Sequence, residues 1–303
     1  MTTAAPERAT TTPLPESRLR GLVRACRPRQ WIKNVLVLAA PTAAGVLTQV
    51  DAILDVAIAF GAFCLVASGT YLINDARDAH ADRAHPRKRR RPVAAGIVSA
   101  RLAYTTGAVC LAAGTAAAFL TGSWHLAAVI GAYVVLTTAY SLALKHLPIL
   151  DLVSVAGGFV LRAVAGAAAV DVAVSSWFLI VATLGSLFMV AGKREAELRN
   201  GGRGESRATL QLYTREFLWY VRATSSGALL VSYCLWAFDQ HVGMSRLAFG
   251  LSIVPFSVGI LRYAMLVDAG SGEEPEETVL SDRLLFLSGV ALAGCLAIGV
   301  YVV

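Results

Sequence analysis

The chain has 303 residues, of which 56% are hydrophobic and 16% charged, and its formal net charge at pH 7 is +7. Soluble domains carry roughly 25% charged residues, so this composition excludes an ordinary soluble domain and indicates a membrane protein. The basic residues flank apolar segments, so we expect them to face a lipid bilayer and anionic ligands, and we expect no nucleic-acid partner.

Residues 1–17 are rich in Thr, Ala and Pro, and we expect a disordered tail there with no signal-peptide pattern. Residues 18–303 are predicted to form a single transmembrane catalytic domain. Nine apolar stretches are long enough to cross roughly 30 Å of hydrocarbon. The stretches are approximately 31–50, 52–72, 98–121, 124–144, 149–170, 175–192, 216–238, 246–267 and 283–303. The pattern predicts an all-α, polytopic bundle of nine transmembrane helices.

The distribution of Lys and Arg predicts how the bundle lies in the membrane. Basic residues cluster at 18–33, 77–91 and 193–215, whereas the alternate connections carry almost none. By the positive-inside rule, the N-terminus is cytoplasmic, and an odd number of spans places the C-terminus outside. We therefore expect a multi-pass protein of the plasma membrane whose polar chemistry lies on its cytoplasmic side.

The second apolar stretch ends in the acidic segment NDARDAHAD. On one continuous helix, Asp75, Asp78 and Asp82 would fall within roughly 60° of one face, with Asn74 and Tyr71 nearby. Carboxylates this close repel one another unless a cation lies between them. Mg²⁺ prefers one or two carboxylates together with substrate phosphates, so the segment predicts a magnesium and diphosphate site.

A basic block, Arg87 to Arg91, follows the acidic segment and includes Lys88. Its side chains could donate to phosphate oxygens. The block could also serve topology alone, and the aspartates could be a solvated helix end. The sequence leaves both alternatives open.

The acidic segment fits N-D-x-x-D-x-x-x-D, and with it the chain resembles the UbiA-type intramembrane prenyltransferase superfamily over residues 20–303. The resemblance implies a nine-helix bundle with a Mg²⁺–diphosphate site on the cytoplasmic side. Members that use a prenyl diphosphate donor carry a second acidic motif after the sixth span. Here the sequence is GKREAELRNGGRGESR, where Lys193 and Arg194 replace the expected acids. This departure indicates a basic, phosphate-binding loop in that place.

The stretches RPRQWIKNVLVLAAP, YLINDARDAHADRAHPRKRRRPVAAG, YSLALKHLPILDLVSVAGGFVLRAVAGA and GKREAE resemble one branch, the decaprenyl-phosphate phosphoribosyltransferases of actinobacteria. The resemblance implies transfer of 5-phosphoribose from phosphoribosyl pyrophosphate to decaprenyl phosphate, with Mg²⁺ as cofactor. The product would be an arabinan precursor of the cell wall.

The resemblance and the spacing together give the expected site residues. The expected metal ligands are Asn74, Asp75, Asp78 and Asp82, with Asp78 and Asp75 catalytic. The residues expected to bind phosphoribosyl pyrophosphate are Tyr71, Arg83, Lys88, Lys145, Lys193 and Arg194. The residues expected to bind polyprenyl phosphate are Lys33, Tyr140 and Arg162.

Arg162 lies about thirteen residues into the fifth apolar stretch, roughly 20 Å deep. A charge at such depth costs at least ~2.5 kcal/mol and usually marks a partner or a pathway. Asp151 and Gly158 share its helical face. One interpretation of Arg162 is an Asp–Arg pair between helices, and the other is binding of the lipid phosphate. Lys33, two residues after Trp31, has the same two interpretations, interfacial anchor or phosphate ligand.

The acidic run Glu273 to Glu277 is expected to be a solvated segment or a lid over a cationic site.

Two other functions of the protein stay open. One is prenyl transfer from a prenyl diphosphate to an aromatic or glycerol-phosphate acceptor. The other is transport of phosphorylated metabolites, which the absence of two matching halves disfavours. A homo-oligomer is compatible with the sequence.

Overall fold

The structure, a computed structural model, describes residues 17–86, 88–200, 208–239 and 244–302. Every regular element within those ranges is helical, which confirms the all-α prediction. The α-helices are α1 Arg18–Ala25, α2 Ala39–Ala43, α3 Val50–Arg77, α4 Ala79–Ala84, α5 Ala100–Ala118, α6 Trp124–Leu142, α7 Leu150–Ala169, α8 Ser176–Arg199, α9 Arg215–Asp239, α10 Met244–Asp268, α11 Pro275–Ser281 and α12 Arg283–Ala297. Short 3₁₀ helices occupy Pro28–Leu38, Val46–Thr48, Lys88–Arg90, Phe119–Thr121, Leu144–His146 and Ala208–Leu212, and a π-helical turn spans Ile298–Val302.

Within the described ranges, seven helices are long and apolar enough to cross a membrane, so the chain is a multi-pass membrane protein. They are Val50–Arg77, Ala100–Thr121, Trp124–Leu142, Leu150–Ala169, Ser176–Arg199, Met244–Asp268 and Arg283–Val302. Helix α9 coincides with the predicted seventh span but carries Glu216 and Arg222, and it is not among the seven. The count of nine spans therefore stays a prediction.

The first predicted span, 31–50, is not one α-helix. It consists of the 3₁₀ helix Pro28–Leu38, the short helix α2 and the turn Val46–Thr48. Gly45, at φ 72°, ends α2 in a left-handed conformation that favours glycine. The 3₁₀ helix lies directly against α7, because a Cβ on Gly166 would meet the Val37 carbonyl oxygen at 1.8 Å. This irregular segment packs against α7, and no local pattern in the sequence shows that contact.

Small residues let the apolar helices approach one another closely. Helix α3 packs along α5, where a Cβ on Gly69 would lie 2.7 Å from the carbonyl oxygen of Gly107. In lipid, apolar burial gives little net drive for helix association, so close van der Waals packing of this kind holds the helices together. Large side chains such as Val231 and Leu251 point outward instead, as a lipid-facing surface requires.

The polar residues gather at one end of the bundle, which we call the polar end. Side-chain contacts there join the last turn of α3 to α6, the first turn of α7 to α8, and α9 to α10. Below them, Phe63 of α3 packs edge-on against Tyr133 of α6, with ring centroids 5.2 Å apart. This apolar layer, which also includes Val37, forms the floor beneath the polar end.

Candidate active site

The acidic segment is broken at its centre. Helix α3 ends at Arg77, Asp78 adopts φ −88° and ψ 3°, and α4 begins at Ala79. The three aspartates therefore do not lie on one continuous α-helix, because α3 ends and α4 begins on either side of Asp78. Asn74 and Asp78 stay together, since Arg77 donates to the Asn74 Oδ1 at 3.3 Å and the Asp78 Oδ1 at 3.1 Å.

The other two aspartates face arginines. The Nη1 of Arg91 lies 3.2 Å from the Asp75 Oδ1 and 2.8 Å from the Asp82 Oδ2. Arg27 donates to the same Asp75 oxygen at 2.7 Å and stacks over the ring of Tyr71, with its guanidinium carbon 4.6 Å from the centroid. Both carboxylates are buried. Asp75 and Asp82 thus tie together the segments that precede and follow α3 and α4.

The metal-binding expectation can be tested against these contacts. Within the described ranges, no group of three His, Cys, Asp or Glu side chains is placed to hold a metal ion. The pair of Asn74 and Asp78 nevertheless fits Mg²⁺, which commonly takes one or two protein oxygens and completes its shell with water and phosphate. The structure therefore brings together half of the predicted ligand set, and its other half, Asp75 and Asp82, is engaged by Arg27 and Arg91.

Two basic residues flank Asp78, Arg77 from the end of α3 and Lys145 from another part of the chain. The Nζ of Lys145, in the connection between α6 and α7, lies 3.9 Å from the Asp78 Oδ2. Arg77 reaches the end of α6 and donates to the Ser141 carbonyl at 2.9 Å. Thr209 fastens the same connection by donating to the Lys145 carbonyl at 2.9 Å. Lys145 therefore lies beside the predicted metal site. Its predicted role is to bind phosphoribosyl pyrophosphate.

Arg194 is fully buried and faces carboxylates. Its Nε and Nη2 donate to the two oxygens of Asp151 at 2.9 and 3.2 Å, and its Nη1 donates to Glu197 at 2.9 Å. Tyr140 donates to the same Asp151 at 2.8 Å. A bidentate, buried pair of this type is costly to break, by about 3–5 kcal/mol. Arg194 and Tyr140 are therefore held by Asp151 in this structure.

Arg162 contacts only neutral partners among the described residues. It donates to the Asn34 Oδ1 at 2.8 Å, to the Gly158 carbonyl at 2.7 Å and to the Tyr133 hydroxyl at 2.7 Å. Its guanidinium carbon also lies 4.7 Å from the centroid of the Tyr133 ring. No interhelical Asp–Arg pair forms at Arg162 among the described residues, and Asp151 of the same helix pairs with Arg194. A buried cation without a paired carboxylate is a favourable place for an anion.

Two lysines predicted to bind phosphate lie close to helix α11. The Nζ of Lys33 is 3.2 Å from the Oε1 of Glu276. The Nζ of Lys193 is 3.9 Å from the Oε1 of Glu197, and the charges of Lys33 and Glu276 are near enough to act on it. The acidic run is therefore not simply a solvated segment, because one of its members contacts a cation of the site.

The remaining predicted residues lie farther along the same connection. Arg83 of α4 donates to the Ala94 carbonyl at 3.2 Å. Lys88 begins a 3₁₀ helix, and its backbone amide donates to the Nδ1 of His85 at 3.3 Å. Arg87 lies outside the described residues. The role of Arg83 and Lys88 as donor ligands stays a prediction.

A second charged network was missed by the sequence reasoning. Glu195, fully buried on α8, accepts from Arg222 of α9 at 2.8 Å and from Arg199 at 3.3 Å. Arg222 also donates to Asp268 of α10 at 2.6 Å. The signal in the sequence was Arg222, a charge inside an apolar stretch. Asn34 and Asp151, polar residues within or beside apolar stretches, were signals of the same kind for the site itself.

Known proteins resemble this chain in sequence and in fold. The model of the UbiA prenyltransferase family matches residues 35–290. A protein of Corynebacterium glutamicum named decaprenyl-phosphate phosphoribosyltransferase is 44% identical over 297 residues, covering 95% of this chain and 89% of that protein. A protein of the same name from Mycolicibacterium smegmatis is also 44% identical, over 95% of this chain and 94% of its own length.

Solved structures show the same fold at low sequence identity. A UbiA homolog from Archaeoglobus fulgidus bound to DMAPP and Mg²⁺ aligns with a TM-score of 0.71 at 16% identity, over 92% of this chain and 97% of that chain. A structure described as digeranylgeranylglyceryl phosphate synthase aligns with a TM-score of 0.63 at 14% identity, over 94% of this chain and 99% of its own. The matched family model and the 44% identical relatives together show that this chain belongs to the UbiA prenyltransferase family.

Proposed function

We propose that this protein transfers 5-phosphoribose from phosphoribosyl pyrophosphate to decaprenyl phosphate and releases pyrophosphate. The observation that carries the proposal is the 44% identity, over about nine-tenths of both chains, to two proteins named decaprenyl-phosphate phosphoribosyltransferase. The product would be an activated pentose on a lipid carrier, suited to arabinan synthesis in a cell wall.

On the donor side, Asn74 and Asp78 would hold Mg²⁺ against the diphosphate. When bound, the metal would neutralise charge on the departing pyrophosphate. Lys145, 3.9 Å from Asp78, is placed to donate to oxygens of the same diphosphate. Asp75 and Asp82 stay predicted members of the ligand set, and in this structure they fix Arg27 and Arg91 beside it. Lys193 is the proposed partner of the donor's 5-phosphate.

On the acceptor side, Arg162 would bind the lipid phosphate, with Lys33 and Tyr140 nearer the membrane surface. A phosphate oxygen would attack the anomeric carbon of the ribose, and the bond from that carbon to pyrophosphate would break with its electrons leaving on the pyrophosphate. The attacking phosphate is already an anion and needs little help from a general base. Attack opposite to the leaving group inverts the anomeric carbon, so positioning and charge stabilisation supply the catalysis.

We further propose that the polar end faces the cytoplasm. The clusters of Lys and Arg at 18–33, 77–91 and 193–215 support this orientation through the positive-inside rule. Phosphoribosyl pyrophosphate is a multiply charged anion and does not cross a bilayer unaided. Its binding site must therefore face the side of the membrane on which it is present, which we take to be the cytoplasm. With nine spans, the C-terminus would lie outside the plasma membrane.

The runner-up function is prenyl transfer from a prenyl diphosphate. The arrangement at the end of α8 disfavours it, because both carboxylates there are engaged by arginines: Glu195 by Arg222 and Glu197 by Arg194. Neither is free to form the second acidic motif of prenyl diphosphate users. Arg194 itself is turned to Asp151, so among the basic pair Lys193 is the better proposed phosphate ligand.

One assay separates these functions. Purified protein in detergent is incubated with Mg²⁺, a polyprenyl phosphate and phosphoribosyl pyrophosphate labelled in the ribose. Label should move into the lipid fraction and depend on both the lipid and the metal. A parallel reaction with a labelled prenyl diphosphate and aromatic acceptors should give no product. Transfer in the second reaction but not in the first would replace the proposed function by prenyl transfer.

A further inference from the structure

Lys33 is held by a carboxylate that belongs to a distant part of the chain. It follows the first turn of the 3₁₀ helix Pro28–Leu38, and its ammonium group lies 3.2 Å from Glu276 of α11. Both side chains are largely shielded, with exposed fractions of 17% and 15%. Gln30 is the other partner of the Lys33 ammonium. A buried lysine and a buried glutamate from opposite ends of the chain thus meet at the polar end.

Lys193 faces the same place from α8. Its ion pair with Glu197 is long, at 3.9 Å, and Glu197 is shared with Arg194 at 2.9 Å. Lys193 and Lys33 are near enough for each to act on the other's charge, and Glu276 acts on Lys193 as well. Glu276 thus pairs directly with Lys33, while Lys193 lies within electrostatic range of both and pairs with Glu197. Two ammonium groups close to one another are suited to binding the oxygens of a phosphate.

Helix α11 follows a connection that Asn200 holds by donating to the Gly270 carbonyl at 3.0 Å and to Glu273 at 2.8 Å. The connection before it contains Gly270 and Gly272 at φ 91° and 118°, conformations that favour glycine. A cavity of about 490 Å³ lies beside this connection. After α11, Asp282 is anchored to Arg262 at 2.7 and 3.1 Å and caps α12. Hydrogen bonds from Arg262 and the Leu285 amide lower the pKa of Asp282 to about 2, so this anchor stays ionised at neutral pH.

We propose that Glu276 is a placeholder for a substrate phosphate: its carboxylate pairs with Lys33 beside Lys193, and a phosphate monoester that binds these two lysines displaces the carboxylate from Lys33. The inference rests on the proposed function, because it identifies the ligand as one of that reaction's two phosphate monoesters. These are the 5-phosphate of the donor and the phosphate of the lipid acceptor, which share the same chemistry.

Charge explains why the phosphate replaces the carboxylate. A phosphate monoester carries nearly two negative charges at neutral pH and three acceptor oxygens, whereas Glu276 carries one charge and two oxygens. Two ammonium groups are therefore better satisfied by phosphate. The internal carboxylate still has a function, because without an anion the two lysines would repel each other and would be costly to keep shielded from water.

The test measures binding rather than turnover. Ribose 5-phosphate and farnesyl phosphate are titrated calorimetrically into the purified, full-length protein and its Glu276→Gln variant. Removal of the competing carboxylate should tighten one probe or both by at least about threefold, in keeping with the modest strength of partly exposed ion pairs. The probe that responds identifies which substrate phosphate uses the site. Glu277→Gln, one residue away on the exposed side of α11, is the matched control and should change neither affinity.

A second background tests whether the effect acts through the lysine. In Lys33→Gln protein, adding Glu276→Gln should give no gain. Unchanged or weaker binding by Glu276→Gln alone, an equal gain from Glu277→Gln, or no binding of either probe by the parent protein would each overturn the inference. The outcome is independent of the proposed reaction: if phosphoribose transfer fails while Glu276→Gln still tightens a phosphate monoester, the function is wrong and the site remains.

Discussion

Arg162 and Arg194 are both buried guanidinium groups, yet their partners differ in charge. Arg194 is neutralised by Asp151 and Glu197, which makes it a structural link between α7 and α8. Arg162 is surrounded by Asn34, Tyr133 and a backbone carbonyl. Because a buried charge without a paired counterion is costly, Arg162 is the residue of the two that calls for an anionic ligand.

The first prediction follows from this difference. Arg162→Leu should raise the apparent Michaelis constant of the polyprenyl phosphate by at least about tenfold, equivalent to ~1.4 kcal/mol. The constant for phosphoribosyl pyrophosphate should change much less. Loss of the hydrogen bonds to neutral partners should lower stability by about 1–3 kcal/mol, which thermal unfolding in detergent measures.

A matched control for this prediction is Arg222→Leu. Arg222 is as buried as Arg162, but it is paired with Glu195 and Asp268. Its removal leaves the buried Glu195 with Arg199 as its remaining hydrogen-bond donor, so it should lower stability by about 1–3 kcal/mol with no preference between the two substrates. Equal weakening of both substrates by Arg162→Leu would show that Arg162 is structural as well.

The second prediction concerns Asp78, the residue at which α3 is interrupted. Asp78→Asn should lower kcat by at least ~100-fold at saturating Mg²⁺, because it removes the charge that opposes Lys145 and that we propose as a metal ligand. The melting temperature should change little, since the side chain is partly exposed at 28%. Asp51→Asn, an exposed residue at the far end of α3, is the control and should retain activity. Near-normal turnover by Asp78→Asn would make the acidic segment a hydrated helix end.

At the scale of elements, the 3₁₀ helix Pro28–Leu38 and α7 depend on each other. The carbonyl of Val37 approaches α7 where Gly166 has no side chain, and Asn34 of the same 3₁₀ helix bonds Arg162 one turn earlier on α7. The close approach therefore brings Asn34 within reach of the buried arginine. An ordinary helix spaced by side chains would stand farther away.

The third prediction tests this approach. In Gly166→Ala, the new Cβ would lie 1.8 Å from the Val37 carbonyl oxygen, so one element must shift. We expect a loss of about 1–3 kcal/mol of stability, from overpacking, and weaker binding of the lipid acceptor through displaced Asn34. Gly131→Ala on α6, where a Cβ meets nothing within 4 Å, is the control and should be neutral or slightly stabilising. Equal thermal stability of the two variants would contradict the structural account.

At the scale of the whole molecule, the polar end collects side chains from almost every long helix, while the opposite end carries few charges. The ion pairs Asp78–Lys145, Asp151–Arg194 and Lys33–Glu276 each join segments far apart in the sequence. These ion pairs bring cations and carboxylates together at the polar end, beside the apolar floor. Such a boundary suits a reaction between a water-soluble diphosphate and a lipid phosphate.

The fourth prediction concerns the orientation of this molecule. A membrane-impermeant maleimide should label Arg89→Cys only in inverted vesicles and Gln49→Cys only in right-side-out vesicles. Both positions are exposed, Arg89 in the connection after the acidic segment and Gln49 just before α3. The parent chain, with its five free cysteines, is the background control in both preparations. Labelling with the opposite sidedness would place the polar end outside the cytoplasm.

The sequence by itself determined the membrane class, the helical architecture, the family and the segment that carries the acidic motif. These follow from apolar length, charge distribution and local spacing, all of which are properties of neighbouring residues. Tertiary structure decided which carboxylate meets which cation. Local spacing placed Asp151 and Arg162 on one face of α7, but only the fold shows that Arg194 reaches Asp151 from α8. A partner supplied by another helix leaves no periodic pattern in the sequence. The break at Asp78, which separates the four predicted metal ligands, leaves none either.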